Sequence, residues 1–119
     1  MLLITKEQRQ RLLNNGRFNS FRRERGEFEI DFKPVVKLFC PWGGATWLLS
    51  ELDPDDPDIA FGLCDLGFGF PELGSVRLSE LEGLRGPLGL SIERDQHFVA
   101  VKSIGEYADE ARRHERIIV

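Results

Sequence analysis

Apolar and polar positions recur along this chain with two different periods, and the changes of period mark its elements. Three helix starts share one chemistry. Thr5-Lys6-Glu7-Gln8, Ser79-Glu80-Leu81-Glu82 and Ser103-Ile104-Gly105-Glu106 each place a hydroxyl three residues ahead of a Glu or Gln. At that spacing the two side chains satisfy two orphan backbone N–H groups reciprocally. The first helix is expected to run to Asn14 or Asn15 and stop at Gly16. The second is short, ended by Gly86-Pro87. The third puts Ile104, Tyr107, Ala108 and Ala111 on one stripe, with Arg112, Arg113 and Arg116 near its end, where cations suit the helix dipole.

Between the helices the period becomes strand-like. Val35 to Cys40 is a compact apolar run, Pro41-Trp42-Gly43-Gly44 supplies a turn, and Thr46 to Glu51 reads as the returning strand. Asp53 to Asp58, with prolines at 54 and 57, must be a loop. Ile59 to Leu66 predicts a third strand, broken by Gly67-Phe68-Gly69-Phe70-Pro71, where the glycines permit positive φ. Ser75 to Leu78 predicts a short fourth strand and His97 to Val101 a fifth. Connections this short favour antiparallel pairing, because parallel strands need crossovers of a dozen or more residues. The expected fold is therefore α+β: an antiparallel sheet of four to five strands with two or three helices packed mainly on one face. Val36, Leu38, Leu48, Phe61, Leu63, Val99 and Tyr107 should share one core. Residues 17–33 are expected to be a mobile loop within a single domain spanning 1–119.

Size and composition agree with that picture. A chain of 119 residues, 41% hydrophobic and 30% charged, can bury a core without disulfides or a structural metal. The apolar opening Met1–Ile4 is far too short for a secretory signal, and no apolar run approaches a membrane span. The cytoplasm is the expected setting, with Cys40 and Cys64 as reduced thiols. Charge changes the picture in one place. Residues 6–25 carry seven basic side chains against Glu7 and Glu24, a net of +5, whereas the whole chain carries −4. Such an asymmetry marks an interaction arm or a solvated helix.

Several runs carry a family resemblance: LLITKEQRQRLL at the opening, FCPWGG with the following Trp47, DLGFGFPELG, and LRGPLGLSIERD. Together they resemble the bacterial "domain of unknown function" family numbered twenty-nine fifty-eight, over nearly the whole chain to the strand at His97. The resemblance implies a small protein often encoded on plasmids and integrative elements near antirestriction and conjugation genes. It implies no catalytic residues.

The candidate chemistry is sparse. Cys40, Cys64, His97 and His114 form no C-x-x-C or H-x-x-x-H pair, so neither a metal nor a cofactor is expected. The acidic run from Glu51 to Asp58 lacks the central glycine and closing Glu of a calcium loop and reads as a solvated connection. Gly67, Gly69 and Gly74 precede no helix and no lysine, which excludes a phosphate-binding loop.

Three functional readings remain. The leading one is a non-enzymatic accessory protein that binds a protein partner through Trp42 and Trp47, the rings flanking a tight turn. In it Trp47 shares a face with Leu49 and serves the core, while Trp42 is the more exposed contact. The alternative is nucleic-acid binding through Arg17, Arg22, Arg23 and Arg25, interleaved with Phe18 and Phe21. A second alternative is a small-molecule or hydrolytic site around Asp65, Arg94, Asp95 and His97.

Overall fold

The computed structural model describes residues 3–119; Met1 and Leu2, the first half of the apolar opening, lie outside the described residues. Thr5 opens helix α1 (Lys6–Glu24) with the expected capping box, its hydroxyl taking the Gln8 N–H while the Gln8 amide takes that of Thr5. The helix does not stop at Gly16. That glycine is buried against strand β2, and a Cβ there would overlap the Leu52 carbonyl. Gly16 is thus a packing residue that lets helix and strand backbones touch. The stop comes ten residues later, where Gly26 takes a φ of 70° and the Gly26 and Glu27 N–H groups return to Arg23 and Arg22.

Five antiparallel strands follow: β1 (Val36–Phe39), β2 (Thr46–Leu52), β3 (Ile59–Asp65), β4 (Glu72–Arg77) and the two-residue β5 (Glu93–Arg94), in the order β4-β3-β2-β1-β5. The fold is α+β, as the periodicity predicts. β1 and β2 pair in the expected hairpin, with Leu38 opposite Trp47 and Lys37 opposite Leu48. One irregularity falls in β2. Its register against β3 shifts between Leu49 and Glu51, so Ser50 is an extra residue. Leu49 and Leu52 therefore share a face although three positions separate them.

The sheet buries both faces, so there are two apolar clusters where one core was expected. Leu12 of α1 packs with Val36, Leu38, Trp47, Leu49 and Leu52, and Leu78 and Leu81 of helix α2 (Leu78–Gly83) join them. On the opposite face Leu48 and Leu63 meet Ile104, Tyr107, Ala108 and Ala111, the predicted stripe of helix α3 (Ile104–His114). Phe61 is only half-buried. Val99 is 78% exposed and corrects the expected core. The strand expected at 97–101 is displaced too: pairing with β1 occurs at Glu93–Arg94, and residues 97–101 run outside the sheet. There Phe98 and Ala100 turn towards α3 while Val99 and Val101 turn outward.

Helix starts differ in how they are capped. Ser103 forms the predicted box with Glu106. Ser79 does not, because α2 begins at Leu78 with Arg77 at the cap position, two residues earlier than the box requires. Asp58, from the loop after β2, accepts the Ser79 N–H at 2.9 Å and its hydroxyl at 2.7 Å. The acidic run is therefore structured at its end as well as solvated.

The segment expected as a loop at 17–33 divides in two. Residues 17–24 continue α1, and an extended stretch then crosses to β1. The buried Asn19 amide holds both the N–H and the carbonyl of Ile30, at 2.7 and 2.9 Å. Asp31 accepts the Gly105 N–H and the Ser103 hydroxyl at the start of α3.

Candidate functional site

Antiparallel order brings the β1–β2 and β3–β4 turns to one end of the sheet. In the first turn Cys40 N–H bonds to the Ala45 carbonyl at 3.0 Å, closing the Pro41–Gly44 tip. In the second, Asp65 is buried and uses both oxygens. One takes the Gly67 N–H at 2.8 Å and the other the Ile117 N–H at 3.0 Å, which ties the C-terminal tail to the turn. Gly67 and Gly69 hold positive φ, as expected, and the Gly67 backbone rests against that of Gly44, so the two tips touch.

A third loop joins them, because the Gly86 backbone lies against the indole of Trp42 so closely that a Cβ there would run into the ring. This loop is closed by an Arg85–Ser91 bridge and by Gly86 N–H to the Leu90 carbonyl at 2.7 Å. Trp42 is consequently half-buried. Trp47 is 4% exposed and belongs to the core, so it offers no contact surface.

The side chains this end does offer are others. Phe68 and Phe70 are 79% and 80% exposed, Leu88 is fully exposed, and Leu66, Leu84 and Leu90 are exposed in part. In the sequence Leu66 reads as the end of the third strand, Phe68 and Phe70 as part of its break, and Leu84, Leu88 and Leu90 stand only in a run that carries the family resemblance. The readable signal was a Phe-Gly-Phe run inside a glycine turn, where neither ring has a strand position from which to reach the core.

The arginine segment is largely self-neutralised. Arg23 meets Glu29 at 2.6 Å, Arg25 meets Glu27 at 2.6 Å, and Arg22 pairs with Glu27 at 3.4 Å while its Nε donates to the Phe28 carbonyl. Arg22 and Arg25 also lie over the rings of Phe18 and Phe21. Among the described residues Arg17 alone of the four makes no ion pair.

Arg94, Asp95 and His97 line one open cavity of about 420 Å³ with Lys37 and Phe39, and Asp65 lies apart from it. Asp65 serves the turn and tail just described. Arg94 donates to the Leu3 carbonyl at 3.2 Å, whereas Asp95 pairs with Lys37 at 3.2 Å. Asp95 meets His97 only through the backbone, accepting the His97 N–H at 2.9 Å. That bond first, and then Lys37, hold the Asp95 carboxyl below the usual carboxylate range.

A cavity of about 270 Å³ opens between α1, the β2 bulge and the following loop, lined by Arg23, Glu29, Glu51, Asp53, Pro54, Ile59 and Phe61 among others. Burial pushes the Glu51 carboxyl up, opposed by the Asn19 amide that donates to it at 2.9 Å; Glu29 raises it further and Arg23 lowers it. The sequence reads Glu51 both as the end of the returning strand and as the start of the solvated acidic run, and assigns Asn19 no role. Among the described residues no three His, Cys, Asp or Glu side chains group so as to hold a metal ion. Cys40 and Cys64 are unbridged and half-buried against the α1-side cluster, where burial raises the Cys64 thiol.

Fold and site define a small α+β protein that exposes apolar side chains on three touching loops, and also at Phe21 and Phe28 beyond the middle of α1 and at Val99 and Val101. The chain belongs to the family described as "Protein of unknown function (DUF2958)", whose profile matches residues 3–118. No curated protein and no solved structure matches it.

Proposed function

We propose that this chain is a non-enzymatic accessory protein that acts by binding a protein partner, and that the three-loop end of the sheet makes the contact. The observation that carries the reading is the exposure of Phe68, Phe70 and Leu88 on loops held against one another. Contiguous apolar surface on a small protein marks an interaction site, and large rings and leucines supply the anchors such contacts use. Trp42 supports the loops from behind and contributes its free edge. No described helix is long and apolar enough to cross a membrane, and a cytoplasmic setting is part of the proposal. So is the carriage on plasmids and integrative elements that the family resemblance implies. The nucleic-acid reading is less well supported, because Glu27 and Glu29 already occupy three of the four arginines.

Affinity capture from the native host tests the choice. Three baits are compared: the wild type, a Phe68→Ser/Phe70→Ser/Leu88→Ser variant, and an Arg17→Ala/Arg22→Ala/Arg23→Ala/Arg25→Ala variant. The expected result is a protein retained by the first and third baits and lost from the second. Unchanged retention by the second bait, or nucleic acid that leaves only with the arginines, contradicts the proposal.

A further inference from the structure

We propose that β4 is a docking edge, on which an extended, basic segment of a partner protein adds as a sixth strand. This rests on the partner-binding reading above and deepens it, because the loop bearing Phe68 and Phe70 runs directly into β4. The order β4-β3-β2-β1-β5 leaves two edges. β5 is two residues long, and so short a strand offers little ladder to extend. β4 has six residues, and its register with β3 runs unbroken from Ile59 opposite Arg77 to Cys64 opposite Glu72. It has none of the devices that keep an edge from pairing: no proline, no lysine, no bulge, and no charge between its end residues Glu72 and Arg77.

The phase of the ladder tells which backbone groups are open. The Leu78 N–H bonds to the Asp58 carbonyl at 2.8 Å, which continues the register and makes the even residues of β4 the ones bonded to β3. Across β3, the Ile59 carbonyl takes the Asp53 N–H at 2.9 Å, so the odd residues of β3 serve β2 and the phase is the same. The N–H and carbonyl groups of Leu73, Ser75 and Arg77 therefore point out of the sheet. Among the described residues no loop backbone or side chain bonds to them. A row of donors and acceptors at strand spacing is matched by another extended backbone. Side chains then narrow the choice. Leu73 is 37% exposed on one face, and Val76 is partly buried on the other, so an apolar run suits the middle. Charge is negative at both ends. Glu72 is exposed at one, and at the other Asp56 and Asp58 stand 3.1 and 3.5 Å from Arg77, two carboxylates to one guanidinium. A segment with Lys or Arg on both sides of a short apolar run complements that pattern.

A phage-displayed library of random linear peptides, panned on the full chain, supplies the probe. The peptides retained are expected to carry Lys or Arg on both sides of a short apolar run. The tightest of them, added as a synthetic peptide, should slow amide exchange at Leu73, Ser75 and Arg77. Gly74 and Val76, already bonded to β3, should not change. Ser75→Pro removes one outward N–H and no rung of the β3–β4 ladder, so it should weaken binding at least tenfold. Glu72→Lys leaves the backbone intact and should weaken binding too, most at low salt. A library that yields no binder overturns the inference. So does protection that falls elsewhere, or binding indifferent to both variants. If Ser75→Pro melts lower than the wild type, the exchange result on the wild type decides alone. As a fourth bait in the host capture, Ser75→Pro should lose the partner. A host protein that it keeps and the Phe68→Ser/Phe70→Ser/Leu88→Ser bait loses overturns the added strand and leaves the partner reading standing. A mass that climbs from 13.6 kDa towards twice that value in sedimentation, and does not in Ser75→Pro, makes the occupant a second copy and overturns the inference as well.

Discussion

Gly16 shows how one residue can mislead and then explain. In sequence it follows Asn14-Asn15 and looks like a helix stop, yet its role is the close approach of α1 to the Leu52 backbone. Gly16→Ala should therefore destabilise. Overpacking of this kind costs about 1–3 kcal/mol, less the roughly 1 kcal/mol that alanine gains in a helix interior. Urea denaturation checks it, and an unchanged or raised midpoint would mean that the helix can move off the strand at no cost. The two tryptophans separate in the same way. Trp47→Ala empties the centre of the α1-side cluster and should cost about 3–5 kcal/mol, whereas Trp42→Ala should lower the melting temperature much less.

Glu51 gives a pH signature. Its folded pKa is raised, so the native state binds the proton more tightly than the unfolded chain does. That contribution to stability is complete below the ordinary carboxylate value and is lost as pH rises through the raised folded value. Glu51→Gln keeps an acceptor for Asn19 and removes the ionisation. It should be more stable than the wild type at pH 7, with the difference fading near pH 4. Denaturation midpoints at the two pH values measure this directly, and a Gln variant less stable at pH 7 would contradict it.

At the scale of elements, the local signals that carried their own chemistry were legible. Thr5 and Ser103 cap their helices as the spacing demands, and the Ile104, Tyr107, Ala108, Ala111 stripe faces the sheet. The β1–β2 hairpin lies in its predicted place. What the sequence hid depended on distant partners. Ser79 sits in a proper box sequence, but Asp58 reaches α2 from about twenty positions earlier and takes its N-terminal groups instead. Asp58→Ala should then speed amide exchange at Ser79, and lesser change should follow Glu82→Ala. The Ser79 hydroxyl is the first cause holding the Asp58 carboxyl below its usual range. Its contribution is present above the ordinary carboxylate value and is lost as pH falls through the lowered folded one.

The fifth strand was misplaced because Phe98, Val99, Ala100 and Val101 read as a strand by composition. Their inward residues in fact pack on α3, not into a ladder. The β2 bulge left a readable trace, Leu49 and Leu52 three apart in an alternating strand.

Across the whole molecule, burial of both sheet faces accounts for the core. α1 and α2 cover one side and α3 the other, and the apolar residues left outside lie on the loops, on the last turns of α1 and along residues 99–101. One part of that remainder, with Phe68, Phe70 and Leu88, stands at the end where the turns of β1–β2 and β3–β4 touch and Gly86 lies on Trp42. The candidate site was half legible. Its tryptophan turn was visible in sequence, but Phe68, Phe70 and Leu88 became contacts only once the fold showed that no core position receives them.

Site-specific photo-crosslinking in the native host tests this most directly, with a photoreactive phenylalanine derivative placed in turn at Phe68, Leu88 and Arg17. The account predicts protein adducts at 68 and 88 and none at 17, the exposed α1 position. Adducts from position 17 alone, or none from either loop position, would contradict it.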